Sequence, residues 1–227
     1  MKNLTLIPAY NEEKTIKKVA EDAKNYSDVL VVNDGSEDHT SSEAKTAGST
    51  VINHAKNLGK GAAIKTGLEY AKFQGYDSVV ILDGDGQHDP HCIPLLLEGI
   101  SQADLVIGSR FMSKAPENMP LQRRLSNKIT THIIKYTTGY HLTDSQCGFR
   151  AVTTQSIPLF LDISYNDYIF ESEMICRASF NNLNLLEINI TSTYGEEKSY
   201  VRTIHILHYL IFTIKILGRK IMGRIEF

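Results

Sequence analysis

Short apolar runs alternate with segments of helical period through the first half of the chain. Residues 4–7, 29–32, 51–52, 79–82 and 105–107 predict strands, and between them Ile16, Val19, Ala20 and Ala23 share one helical face, as do Ile64, Leu68 and Ala71. Strands alternating with helices predict βαβ units, an α/β class and a mostly parallel sheet. In such a sheet ligands gather beyond the carboxyl ends of the strands. Polar motifs follow Ile7, Val32, Leu82 and Ile107, so all four are expected on one rim.

The second half is less regular. Residues 115–120 read as a loop, 121–136 as a basic amphipathic helix, 168–180 as a further helix and 185–190 as a strand. Residues 203–217 are strongly apolar but interrupted by His205, His208 and Lys215. A spanning helix takes about 20 predominantly apolar residues. This run is shorter and has basic flanks, so it is expected to lie along a membrane surface, docking on the protein's own core being the alternative. The expected organisation is one domain over residues 1–200 and a C-terminal amphipathic, membrane-associating segment over 201–227.

With 227 residues, 42% hydrophobic and 22% charged, the chain can build one sizeable core. Cys92, Cys147 and Cys176 are an odd number at wide spacing, which suggests neither a disulfide framework nor a zinc site and fits a reducing cytosol. The formal net charge of −2 argues against a nucleic-acid binder. The distribution of charge adds more. No acid occurs from Asn118 to Leu142, where Arg123, Arg124, Lys128 and Lys135 lie, and Arg202, Lys215, Arg219, Lys220 and Arg224 follow late in the chain. Such clusters suggest an anionic partner.

Asp83-Gly84-Asp85-Gly86-Gln87 carries the most chemistry. Two carboxylates and an amide oxygen at alternate positions make Asp83, Asp85 and Gln87 hard oxygen ligands for Mg²⁺ or Mn²⁺ held against a diphosphate. A calcium EF-hand is excluded, because His88 stands where that loop needs glycine and Pro94 where it needs a bidentate glutamate. Pro8-Ala9-Tyr10-Asn11-Glu12-Glu13 ends the first strand and presents Tyr10 and Glu12 to a base and ribose. In Val32-Asn33-Asp34-Gly35-Ser36, Asp34 is placed to accept from a nucleobase or a ribose hydroxyl. Asn57-Leu58-Gly59-Lys60-Gly61 is glycine-rich and could meet phosphate at a helix N-terminus, though it matches neither GxxxxGK[ST] nor GxGxxG. Singly, these runs also read as ordinary turns and caps.

Together with Gly108-Ser109-Arg110 and Asp144-Ser145-Gln146-Cys147-Gly148-Phe149-Arg150, these motifs resemble, in order and spacing, the family 2 inverting glycosyltransferases of GT-A fold. The resemblance spans about residues 4–198 and is nearest the dolichyl- or polyprenyl-phosphate mannosyl- and glucosyltransferase branch. It implies a Rossmann-like, mostly parallel sheet flanked by helices. Pro8, Tyr10, Glu12, Val32 and Asp34 would bind the nucleoside of a GDP- or UDP-sugar, while Asp83, Gly84 and Asp85 hold donor sugar and diphosphate. Arg110 would face the phosphates, Asp85 and Gln87 would lead the metal ligands, and Lys198 would close over the diphosphate. Arg123 and Asn127, with Arg124 close by, match the stretch that receives the acceptor phosphate. Two positions depart from the pattern. Asn33 replaces the first of two aspartates, and Ser192 stands where relatives often carry an arginine, for which Arg202 could substitute.

The implied reaction moves a hexose, mannose or glucose first, from a nucleoside-diphosphate sugar to a polyprenyl phosphate at the cytoplasmic membrane face. The metal, Arg110 and Lys198 would stabilise the leaving diphosphate, and an ionised phosphate acceptor needs no strong base. Two rivals are a transferase with a saccharide acceptor, for which Asp144 or Glu171 would serve as base, and a non-catalytic binding module on the same fold.

Overall fold

The computed structural model describes residues 1–113, 119–192 and 203–221, and within the last helix the side chains of residues 208, 209 and 211–218. Seven strands form one sheet in the order β3-β2-β1-β4-β6-β5-β7. They are β1 (Asn3–Ala9), β2 (Asp28–Asn33), β3 (Thr50–Asn53), β4 (Ser78–Ile81), β5 (Leu105–Ser109), β6 (Arg150–Thr153) and β7 (Leu185–Asn189). Neighbouring strands run parallel except at β6, which lies antiparallel between β4 and β5. The sheet is thus mostly parallel, as expected, with this one antiparallel insertion.

Helices α1 (Ile16–Ala23), α2 (Thr40–Thr46), α3 (Lys60–Phe73) and α4 (Ile93–Gly99) connect the first five strands. The apolar stripe of α1 is buried at Ile16, Val19, Ala20 and Ala23, as its spacing predicts. Burial on α3 falls on Gly61, Ala63, Ile64, Gly67, Leu68 and Ala71. Gly67 is required by close packing, since a Cβ there would stand 2.1 Å from a methyl of Leu6. That contact draws α3 onto β1 and places its N-terminus at the rim.

The second half adds α5 (Leu121–Thr138), α6 (Ile157–Leu161), α7 (Ile169–Phe180) and α8 (Thr203–Ile221). Helix α5 ends at Gly139, whose φ of 78° closes the last turn. Helix α7 is buried on nearly every side, including Glu171, Glu173 and Arg177. Helix α8 packs on α5 and α7. Phe212 and Ile216 enter the core, while Ile211 and Ile214 face outward. The basic helix and the strand at β7 thus begin where their patterns place them. Lys198 and Arg202, the 200/201 boundary, and most of the loop over 115–120 lie outside the described residues.

Candidate active site

Strand order reverses about β1 and β4, and at such a switch point a crevice opens beyond the strand ends. A cavity of about 610 Å³ lies there, lined by Pro8, Ala9, Tyr10, Glu12, Asp34, Asn57, Gly59, Lys60, Ala63, Asp83, Gly84, Asp85, Asp167 and Tyr168. It gathers most of the donor-site residues expected from the sequence. Val32 differs: it is fully buried in β2, paired with Pro8, so its side chain belongs to the sheet core below the rim.

Hydrogen bonds knit the rim before any ligand arrives. Asn11 N–H donates to Ser36 Oγ at 2.9 Å and Glu37 N–H to Asn11 Oδ1 at 2.9 Å, joining the loops after β1 and β2. Thr15 Oγ1 donates to the Gly84 carbonyl at 2.7 Å and to Glu12 Oε2 at 3.2 Å, tying the first motif to the acidic one. Tyr10 remains 40% exposed at the mouth, available for stacking. Asn33 bonds Asn53 Oδ1 through Nδ2 at 2.9 Å and receives Ser36 N–H at 3.2 Å. An aspartate there would lose the donor to β3, which explains the departure physically. Asp34 is buried, and its carboxylate accepts from Leu58 N–H at 3.0 Å and Gly59 N–H at 2.8 Å and contacts His54 Nδ1 at 2.7 Å. The observed work of Asp34 is therefore to pin the glycine loop against the cavity wall.

Deeper in the cavity Lys60, the first residue of α3, joins an ion cluster. Lys60 Nζ lies 2.6 Å from Asp83 Oδ1 and 2.6 Å from Glu171 Oε1. Burial alone would lower the pKa of Lys60, but the two carboxylates outweigh it and hold the ammonium charged. Burial opposes ionisation of Asp83 too, and Lys60, His88 and Arg110 together hold its carboxyl below the usual range. Gly148 makes the cluster possible, because a Cβ there would come within 2.6 Å of Asp83 Oδ2 and 2.8 Å of Lys60 Nζ. Arg150, fully buried, donates to the carbonyls of Cys147 at 2.7 Å, Glu171 at 2.6 Å and Ser145 at 3.0 Å, fixing this loop to α7. The spacing of motifs did not reveal Lys60–Glu171 pairing or Arg150, since the partners are far apart in the chain. Asp167 and Tyr168 were missed as well. They lie in the turn before α7, without a periodic signal.

Arg110, at the end of β5, is clamped on Asp144 through Nε at 2.6 Å and Nη2 at 2.9 Å. Asn127 of α5 donates to the same carboxylate at 2.6 Å and receives Thr131 Oγ1 at 3.1 Å. Burial would raise the pKa of Asp144, but Arg110 and Asn127 hold it lowered, so it is a paired anion rather than a poised base. Arg123 is half-buried, and its charge reaches Tyr168 on the cavity rim. Along the other side of α5 runs an open groove of about 720 Å³ with Arg124, Asn127, Lys128, His132 and Lys135 among Phe111, Leu125, Ile129 and Leu142. Burial pushes the Cys147 thiol up to about 12 and the neighbouring His88 imidazole down to about 4, so neither is charged near neutrality.

Asp85 Oδ1 accepts Gln87 N–H at 3.0 Å, which turns this acidic loop back on itself. An isolated bridge joins His88, which follows this loop, to Ser192. Among the described residues no cluster of three or more His, Cys, Asp or Glu side chains forms a metal cage. The oxygen set of Asp83, Asp85 and Gln87 nevertheless fits a hard cation that takes its remaining ligands from a diphosphate and water.

The comparisons agree with this geometry. The model of Glycosyl transferase family 2 matches residues 5–158. A UDP-N-acetylglucosamine–dolichyl-phosphate N-acetylglucosaminyltransferase of Methanococcus voltae is 34% identical over 214 residues, covering 84% of this chain and 85% of the relative. An undecaprenyl-phosphate mannosyltransferase of Micrococcus luteus is 34% identical over 202 residues, covering 84% and 83%. Glucosyl-3-phosphoglycerate synthase of Mycobacterium tuberculosis, solved with Mn²⁺, UDP and phosphoglyceric acid, superimposes with a TM-score of 0.69 at 17% identity, over 99% of this chain and 78% of its own. The fold is therefore GT-A, and the chain belongs to Glycosyl transferase family 2 and is a glycosyltransferase.

Proposed function

We propose that this glycosyltransferase moves a hexose from a GDP- or UDP-sugar to a polyprenyl phosphate, with inversion, in the presence of Mg²⁺ or Mn²⁺. The observation that carries the reading is the basic groove along α5, whose Asn127 shares the Asp144 carboxylate with Arg110 just past the end of β5. An apolar floor with Arg124, Lys128 and Lys135 at its edges suits a phosphate on an isoprenoid chain. Both relatives named above act on phosphorylated polyprenols, by name, yet differ in sugar. The class of acceptor is thus better supported than the hexose.

The acceptor phosphate is ionised near neutrality and attacks the anomeric carbon directly. Consistent with that, the two carboxylates eligible as a base are engaged: Asp144 by Arg110, and Glu171 by Lys60. Tyr10 and Glu12 would hold the nucleoside, and Asp83, Asp85 and Gln87 would hold the cation, which when bound supplies Lewis-acid stabilisation of the leaving diphosphate. Arg110 and Lys198 would add fixed positive charge.

Two surfaces support peripheral membrane association. Leu121, Leu125, Ile129 and Tyr136 form an exposed apolar stripe on α5 beside Arg124, Lys128 and Lys135, and Ile211 and Ile214 are exposed on α8. No described helix is long and apolar enough to cross a membrane, so the proposed contact is peripheral, at the cytoplasmic face.

Radiolabelled GDP- and UDP-hexoses with Mn²⁺, with and without polyprenyl phosphate in detergent, test the reading. Label should enter the lipid phase only with the phosphorylated lipid. Equal transfer to an unphosphorylated saccharide would replace the acceptor assignment, and donor binding without any transfer would favour a binding module.

A further inference from the structure

The Lys60 ammonium sits where a cation would otherwise meet Asp83. It is 2.6 Å from Asp83 Oδ1 and 2.6 Å from Glu171 Oε1, inside the cavity whose wall also holds Asp85. Gly148 leaves room for this contact, and Arg150 fixes Glu171 by its own carbonyl, so the arrangement is built from four directions. A fixed positive charge at this distance lowers the affinity of a carboxylate for a second cation by direct repulsion and by occupying one of its oxygens. The donor diphosphate carries the charge needed to offset that repulsion.

We propose that Lys60 is a positioning residue that acts as a resident counter-cation: it competes with the divalent ion for Asp83 in the ligand-free protein, so that the ion enters efficiently only together with the donor diphosphate. Glu171 governs the competition, because it shares the ammonium with Asp83 and draws it away from that carboxylate. The inference rests on the reading that Asp83 belongs to the cation site.

Titration of Mn²⁺ alone into the full chain, followed by electron paramagnetic resonance, tests it without any turnover. Lys60→Met should bind free Mn²⁺ at least ~10-fold more tightly than wild type, since removing the ammonium leaves Asp83, Asp85 and Glu171 without it. Glu171→Gln should move the other way, weakening free Mn²⁺ by ~3-fold or more as Lys60 turns wholly to Asp83. Adding UDP or GDP should narrow both differences. A structural role alone would weaken binding in both variants, and that result overturns the proposal, as does unchanged Mn²⁺ affinity in Lys60→Met. If Lys60→Met does not fold, Lys60→Gln, which removes the charge but keeps a polar contact to the two carboxylates, decides: tighter free Mn²⁺ supports the proposal, and unchanged or weaker binding overturns it. Opposite shifts in a chain that transfers no sugar would defeat the functional reading while leaving this one intact.

Discussion

A methyl group at position 148 would stand 2.6 Å from Asp83 Oδ2, 2.8 Å from Lys60 Nζ and 3.1 Å from Glu171 Oε1. Gly148→Ala should therefore displace the cluster while leaving the fold intact, and a misplacement near 1 Å costs ~100-fold in kcat. Steady-state kinetics beside a thermal melt check this, with activity falling and the melting temperature nearly unchanged. Asp85→Ala should abolish turnover and weaken donor binding more in Mn²⁺ than in EDTA, and equal loss in both would remove Asp85 from the ligand set. The Arg110–Asp144 pair makes a different prediction, about pH. Asp144 has a folded pKa below its ordinary value, so its contribution to stability is present above the ordinary carboxylate range and is lost as pH falls through the folded value. Asp144→Asn removes the buried carboxylate that clamps Arg110 and should cost about 3 kcal/mol near pH 7. Denaturant melts should show the gap between wild type and variant narrowing below pH ~4.

Among the elements, α8 reaches the donor cavity through the turn before α7. Phe212 packs edge-on against Tyr165 at 5.6 Å, and His208 lies 3.6 Å from Asp167, which lines the cavity. On the far side of the same turn the Asn166 carbonyl accepts Gly61 N–H at 2.9 Å, and Gly59, at φ 98°, passes so close that a Cβ would stand 2.2 Å from that oxygen. The turn is held between α8 and the glycine loop. Phe212→Asp should accordingly weaken nucleotide-sugar affinity by several-fold without contacting the ligand, measurable by titration calorimetry against a surface control such as Ile214→Asp. Equal affinity in both variants would show that the glycine loop does not depend on α8. Local pattern in the sequence was enough for the first five strands and for α1 and α3, because apolar period and rim motifs coincide at Ile7, Val32 and Leu82. It was not enough for β6, whose first residue, Arg150, is a buried charge satisfied by the Ser145 and Cys147 carbonyls of the preceding loop and by the Glu171 carbonyl of α7. Helices α2, α4 and α6 were hidden for simpler reasons: α2 is polar with only Thr40 and Ala44 buried, and the other two are short and begin with proline near the N-terminus. The donor rim was legible as motifs, whereas the pairing of Lys60 with Glu171 depended on long-range packing.

For the whole molecule, the near-zero net charge conceals a division of labour: carboxylates gather at the donor cavity, and basic residues line α5 and the C-terminal part of the chain. On α5, Leu121, Leu125 and Ile129 recur every four residues, and Leu121 is 78% exposed, an unusual cost for a helix whose other side is packed on α7 and α8. Next to them Arg124, Lys128 and Lys135 offer positive charge, each contributing about 1 kcal/mol near an anionic surface. Insertion of such a stripe would put the mouth of the α5 groove at the lipid headgroups, where a polyprenyl phosphate presents its charge. The full chain should therefore co-sediment with anionic liposomes at low salt and dissociate as salt rises, because screening shortens the reach of the basic row. Leu121→Glu with Tyr136→Glu changes two exposed residues that do not line the groove and should leave stability and nucleotide-sugar affinity as they are. If α5 is the membrane face, that variant loses liposome binding and transfer to lipid-embedded acceptor, yet retains transfer to a short-chain, water-soluble polyprenyl phosphate. Retained liposome binding would instead assign the contact to α8 and the segment that follows it, and loss of transfer to the soluble acceptor would give Leu121 and Tyr136 a part in acceptor binding rather than in the bilayer.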